Sequence, residues 1–165
     1  MKRSVVKTLP EKAPNKEFLL EEFLPYRLSL LSNTVSQGIS AIYRKAHGLS
    51  VTQWRVVAIL GRFPGLTATE VMQRGAMDKV AVSRAVNKLQ DQGLVDRKPH
   101  NDDRRRLPLN LTASRGLPLF YEIVPQALAY EKQVLSCLSN DELARLNRLI
   151  DKLQVSAETL NPQFI

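Results

Sequence analysis

The sequence predicts a mainly α-helical chain with one small β-hairpin, and three observations carry that expectation. Apolar residues recur at helical spacing through most of the 165 residues. One stretch, residues 107–111, alternates with a period of two instead. Capping sequences, glycines and prolines punctuate the periodic runs and divide them into separate helices. The resulting plan is a compact centre of helix, turn, helix and hairpin wing, flanked by helices at both ends.

Residues 1–16 contain Pro10 and Pro14 and read as a flexible basic arm. Residues 18–24 form a short helical run in which Phe18, Leu19, Phe23 and Leu24 are apolar. Pro25 suits the first turn of the next helix, where its missing N–H costs little. That helix runs to about Ala46, with Leu28, Leu31, Val35, Ile39 and Ile42 on one seam, and Gly48 ends it. A helix this long with a single apolar seam requires a partner helix. Ser50, Val51 and Thr52 open a third helix over residues 53–62, burying Val56, Val57, Ile59 and Leu60. Phe63-Pro64-Gly65 breaks it.

Thr67-Ala68-Thr69-Glu70 has capping-box spacing: the Thr hydroxyl accepts from the N3 amide while the Glu carboxylate reaches back. The short helix it starts ends before Gly75. Asp78 stands near the start of the next helix, where a carboxylate is favourable against the helix dipole. In that helix, residues 78–92, Val82, Val86 and Leu89 share one face. The opposite face carries Val80, Arg84, Asn87 and Asp91, flanked by Ala81, Ser83 and Lys88. Cations, an amide and small apolar groups are the kit that touches phosphates, base edges and thymine methyls. Gly93 ends the helix.

Residues 94–98 and 107–112 are the expected hairpin strands. Leu107, Leu109 and Leu111 alternate with Arg106, Pro108 and Asn110, so one face packs on the helices. Pro108 donates nothing to a ladder, so its nitrogen side is expected toward solvent or a bulge. The loop 99–106 is expected to be exposed and charged. Helix, turn, helix and hairpin in this order make a winged helix-turn-helix core.

After Gly116 a long helical stretch runs to Leu138, with a bend expected at Pro125. Ser139-Asn140-Asp141-Glu142 is a second capping box, and its helix carries Leu143, Leu146, Leu149, Ile150 and Leu153 on one side. Both ends of the chain thus hold an apolar seam. Either they pack on each other as an intramolecular bundle, or, the favoured reading, they pair with a twin in a homodimer. The domain plan is a basic arm at 1–16, N-terminal dimerisation helices at 17–46, the DNA-binding core at 47–112 and C-terminal dimerisation helices at 113–165.

The net charge of +8 and a pI near 9.9 point to a polyanionic partner, here double-stranded DNA. Residues 74–106 hold nine Lys or Arg against five Asp, and residues 1–16 hold five against Glu11 alone. For the arm, charge that serves only solubility explains the pattern equally well. The single cysteine, Cys137, excludes an intramolecular disulfide framework and suits a reducing compartment. It has no cation nearby except Lys132, so packing is favoured over redox sensing. Neither a signal peptide nor a membrane-length apolar run is evident, and the expected location is cytoplasmic. An enzyme is not expected. There is no Gly-rich phosphate loop, no metal-ligand spacing and no cofactor motif, and the only histidines are His47 and His100. The rival is a winged helix that contacts protein or RNA without sequence-specific DNA recognition.

Over residues 18–154 the chain resembles the MarR-type winged helix-turn-helix regulators. Three stretches carry the resemblance: Thr52-Gln53-Trp54-Arg55-Val56, Met77-Asp78-Lys79-Val80-Ala81-Val82-Ser83-Arg84, and Asp103-Arg104-Arg105 before Leu111-Thr112. It implies a homodimeric repressor that binds a pseudo-palindromic operator and releases it to a small effector, often an aromatic acid. By the same resemblance Ser83 and Arg84 face the major groove, Lys79 lies near phosphate, and Asn87 reaches base or backbone. Thr67, Thr69, Val80, Ala81 and Lys88 complete the helical part of the candidate surface. In the wing, Arg105 would enter the minor groove with Asp103 orienting it, while Arg104 and Arg106 meet phosphates. Pro108 departs from the family's ordinary strand residue, and Val80 and Ala81 replace small hydroxylic residues. The effector cleft would draw on Arg27, Leu30, Asn33, His47, Trp54 and Arg55, an aromatic wall and guanidinium suited to an aromatic carboxylate or its thioester. For Trp54 and Arg55 a core role is an equal reading, and for His47 a helix-end or surface role is the commoner one.

Overall fold

A computed structural model describes residues 18–97 and 107–160 of the chain. The arm 1–16 and the loop holding Asp103, Arg104, Arg105 and Arg106 lie outside the described residues. The chain divides into two units, residues 1–34 and 35–165.

In the first unit, residues 18–23 are not the short helix expected. The Leu19 carbonyl accepts from the N–H groups of Glu22 and Phe23 (3.0 and 3.2 Å), closing a single turn, and the Phe18 and Phe23 rings meet at 5.3 Å. Pro25 contributes: with no N–H it cannot bond back to the residue 21 carbonyl, and its ring suits a first helical turn better than a helix interior. Helix α1 (Leu24–His47) starts afresh with Pro25 in its first turn, as expected. Leu28, Leu30 and Leu31 are 48%, 53% and 58% exposed, so this stretch of α1 leaves its apolar side chains uncovered.

The second unit holds the core. Helix α1 ends at His47 before Gly48, with the cations Arg44 and Lys45 in its last turn, where positive charge is favourable against the helix dipole. Helix α2 (Val51–Arg62) is capped by Ser50, whose hydroxyl accepts from the Gln53 N–H while the Gln53 side chain accepts from the Ser50 N–H. It buries Val56, Val57 and Leu60; Ile59, expected with them, is half-buried against the same cluster. Helix α3 (Ala68–Arg74) begins with the Thr67–Glu70 capping box and ends at Gly75. Helix α4 (Lys79–Asp91) follows with Asp78 as its N-cap. Around these, α2 packs on α3, α4 and the hairpin, and the cluster closes with Leu119 and Ile123 from helix α5 (Gly116–Leu135).

The wing is an antiparallel pair, β1 (Val95–Arg97) and β2 (Leu109–Leu111), in the register Val95↔Leu111, Asp96↔Asn110, Arg97↔Leu109. Both strands are shorter than expected. On its other side β2 meets Leu66: the Leu109 N–H donates to the Leu66 carbonyl at 2.8 Å, and the Gly65 N–H to the Leu109 carbonyl at 3.0 Å. A strand bonded on both edges has no free side for a proline, so β2 begins after Pro108. Pro108 is buried rather than turned to solvent, and Leu107 is 43% exposed instead of sharing the inner face with Leu109 and Leu111.

Helix α5 runs unbroken past Pro125 and stops at Leu135, three residues short of expectation, because Ser136 turns the chain back with its N–H on the Gln133 carbonyl. Cys137 is exposed rather than packed, since it falls in this turn and not in a helix face. The Ser139–Glu142 capping box opens helix α6 (Asn140–Leu160) as expected. Hydrogen bonds from the Ser139 N–H and hydroxyl hold the Glu142 carboxyl below its usual range. No residue of α6 is buried.

Candidate nucleic-acid interface

Helix α4 is the centre of the candidate surface, and its orientation follows from packing. Val82, Ala85, Val86 and Leu89 are buried against α2, α3 and β1. That leaves Lys79, Val80, Ser83, Arg84, Asn87 and Lys88 exposed on the other side, with Ala81 half-buried. Among the described residues, Lys79, Arg84 and Lys88 have no carboxylate partner. Three uncompensated cations on one helix face form a ready counter-surface for phosphates. Asp78 caps the helix by accepting from the Ala81 N–H at 2.9 Å, so the acid at its start is engaged with the backbone, while Asp91 is exposed at the far end of this face.

The preceding helix places its two candidate residues differently. Thr69 is exposed, whereas Thr67 is half-buried, with its hydroxyl donating to Glu70 Oε2 at 2.8 Å and accepting from the Glu70 N–H at 3.3 Å. Capping therefore already occupies Thr67. The turn between α3 and α4 passes through Ala76 at φ 46°, an uncommon conformation for alanine, and the Met77 N–H returns to the Met72 carbonyl at 3.0 Å. Arg74, at the end of α3, lies over the Phe63 ring with its guanidinium carbon 4.0 Å from the centroid.

The candidate effector residues fall in both units, and each unit is described by itself. Arg27, Leu30 and Asn33 are exposed in the first unit. In the second, Trp54 is buried and stacks on Tyr43 with ring centroids 5.5 Å apart. The Arg55 guanidinium donates to the Ser36 hydroxyl at 3.1 Å. His47 Nε2 stands 3.1 Å from Glu122 Oε1 on α5. A groove of about 640 Å³ runs along α1, lined by Gln37, Ser40, Ala41, Arg44 and Lys45, and none of the six predicted residues lines it.

Sequence reasoning missed Tyr43 and Gln53. Tyr43 is 1% exposed, and burial pushes its hydroxyl pKa up while Arg44 and Arg55 pull it down. Gln53 is 2% exposed, although the Ser50-x-x-Gln53 spacing is a capping-box signal that would have placed it. Among the described residues no cluster of His, Cys, Asp or Glu could hold a metal, and no helix is long and apolar enough to cross a membrane.

A helix pair whose second member turns a cationic face outward, followed by a short hairpin, defines a winged helix-turn-helix fold. Residues 47–106 match the family model described as MarR family. The HTH-type transcriptional repressor Rv2887 of Mycobacterium tuberculosis is 28% identical over 132 residues, covering 79% of this chain and 91% of that protein. A MarR/EmrR family regulator from Acinetobacter superposes with a TM-score of 0.78 at 26% identity, over 86% of this chain and 99% of its own. BpsR of Bordetella bronchiseptica, at 20% identity and a TM-score of 0.72 over 84% and 97% of the two chains, shares the fold. Across its core and over most of its length the chain is thus similar to transcriptional regulators of the MarR type.

Proposed function

We propose that the chain is a homodimeric repressor that reads a pseudo-palindromic operator and releases it when a small acidic effector binds. The observation that carries the DNA half is the α4 face, where Lys79, Arg84 and Lys88 stand exposed without acidic partners among the described residues. Arg84 is the base reader in this proposal. A bidentate contact to guanine would contribute about 1–3 kcal/mol of discrimination. Lys79 and Lys88 meet phosphates, Ser83 and Asn87 reach base edges, and Val80 and Ala81 present apolar contact for a thymine methyl. Arg105, in the wing loop outside the described residues, senses the negative potential of a narrow minor groove and so favours A·T-rich flanks.

The dimer half rests on apolar surface. Leu149, Ile150 and Leu153 of α6 and Leu28, Leu30 and Leu31 of α1 are exposed in the single chain. Surface of that kind is stabilised by pairing, and a two-fold axis would set recognition helices roughly 10 base pairs apart. Neutralising three or four phosphates per subunit gives a log–log salt slope on the order of −6. For the effector, the support is the relative BpsR, whose DNA binding is regulated by 6-hydroxynicotinic acid. An aromatic acid or its thioester is the corresponding ligand class here.

The test is selection of genomic fragments by the purified protein, followed by sedimentation equilibrium of the free protein and of its complex. A palindromic, A·T-flanked consensus bound by two copies supports the proposal. Sequence-independent recovery, or a monomer at all concentrations, contradicts it. Mass spectrometry of small molecules retained by the native protein then identifies the effector.

A further inference from the structure

The C-terminal end of α4 is held by polar contacts from two directions. From α2, the buried Gln53 uses both ends of its amide: Oε1 accepts from the Ser50 N–H at 3.0 Å, and Nε2 donates to Gln92 Oε1 at 3.2 Å. Gln92 is the C-cap of α4. One side chain thus ties the first turn of α2 to the last turn of α4, across 39 residues of sequence. From the wing, the Thr112 hydroxyl donates to the Gly93 carbonyl at 2.7 Å and accepts from the Gly116 N–H at 3.0 Å. Gly93 is the next residue after the C-cap, and Gly116 is the first of α5.

The fit on this side is close. A Cβ on Gly116 would stand 2.1 Å from the Leu94 carbonyl oxygen, so only glycine lets α5 start against the backbone leaving α4. Gly93 turns that backbone at φ 68°, a left-handed conformation that frees its carbonyl to face Thr112. Two helix starts therefore converge on one helix end, through side chains of which Gln53 is buried and Gln92 and Thr112 are half-buried. Buried polar contacts fix geometry more sharply than apolar ones, because a small displacement leaves a desolvated group unpaired.

We infer that Gln53, Gln92 and Thr112 form a polar joint that sets the seating of α4, making them positioning residues for sequence-specific DNA binding. None of the three touches DNA in this account. They act by fixing the angle at which Ser83 and Arg84 are presented, since bidentate base contacts tolerate displacement far less than phosphate contacts do. The inference rests on α4 reading DNA.

The test compares affinity for the selected operator with affinity for a scrambled duplex of equal length, because a merely structural weakening lowers both alike. Gln92 is half-exposed, so Gln92→Met cuts the bridge and leaves the α2 cap intact. Thr112→Val removes the hydroxyl at constant shape. Each is expected to reduce the operator-to-scrambled ratio by about tenfold, the equivalent of 1.4 kcal/mol, with the salt slope unchanged. Gln92→Glu keeps an acceptor for Gln53 Nε2 and is expected to restore the ratio, its added charge acting on both duplexes. Circular dichroism confirms that each variant is folded. Wild-type ratios in both cutting variants overturn the joint, and so does a ratio for Gln92→Glu as low as that for Gln92→Met. A wild type with no preference between duplexes removes the α4 reading itself, and the inference falls with it.

Discussion

Helices α4 and α6 have the same kind of sequence and meet opposite surroundings. Each carries an apolar stripe and a polar face. In α4 the stripe is covered, with Val82, Val86 and Leu89 at 1% exposure or less. In α6 it is not: Leu149, Ile150 and Leu153 are 50%, 49% and 48% exposed. The difference lies in what the rest of the chain supplies. For α4 it supplies α2, α3 and β1, while no residue of α6 finds a buried place. Amphipathic periodicity therefore specifies that a face wants burial, and tertiary context decides whether one copy of the chain can provide it.

This contrast is tested first where it is strongest. Leu89→Ala empties a fully buried site in α4 and is expected to lower unfolding free energy by about 2–5 kcal/mol, read as a shift of the urea midpoint at constant slope. A shift below about 1 kcal/mol would mean that α4 is not seated as described. The matching change in α6, Leu153→Lys, is expected to leave the helix content unchanged but weaken self-association by about tenfold or more in sedimentation equilibrium. Unaltered association would place the dimer contact elsewhere.

Smaller effects sharpen the comparison between helix starts. Thr67→Ala deletes the α3 cap and should cost about 1 kcal/mol in thermal unfolding. Because its hydroxyl is occupied by Glu70, operator affinity measured well below the melting temperature should barely change. A large affinity loss would instead make Thr67 a DNA contact. The smallest effect is at Glu142, whose pKa is lowered by its hydrogen bonds from the Ser139 backbone and side chain. A carboxylate with a depressed folded-state pKa stabilises the fold above its unfolded value, and that contribution fades as pH falls through the folded one. Melting temperatures of wild type and Glu142→Gln should therefore differ near neutral pH and converge in acid; a constant gap would contradict the linkage.

Much of this is legible in the sequence. The inward face of α4, the capping boxes at Thr67 and Ser139, and the stops at Gly48 and Gly93 all follow from local rules that tertiary structure did not override. What escaped was context. Gln53 is polar, yet it is buried, and its amide serves two hydrogen bonds at once. Leu107 alternates correctly with Leu109, but Leu66 occupies the other edge of β2 and Pro108 closes the strand early. Trp54 and Arg55 were balanced between cleft and core, and Tyr43 and Ser36 are their neighbours in the fold. The outward face of α4 was thus readable from periodicity, whereas the surroundings of Trp54 and Arg55 were not, because they depend on elements distant in sequence.

The most direct measurement is a titration of the selected operator with wild type and Arg84→Ala at several salt concentrations. If the outward face of α4 makes the base contact, the variant binds operator about ten- to a hundredfold more weakly, while affinity for scrambled duplex falls only slightly. Equal operator affinity for the two proteins would contradict the account.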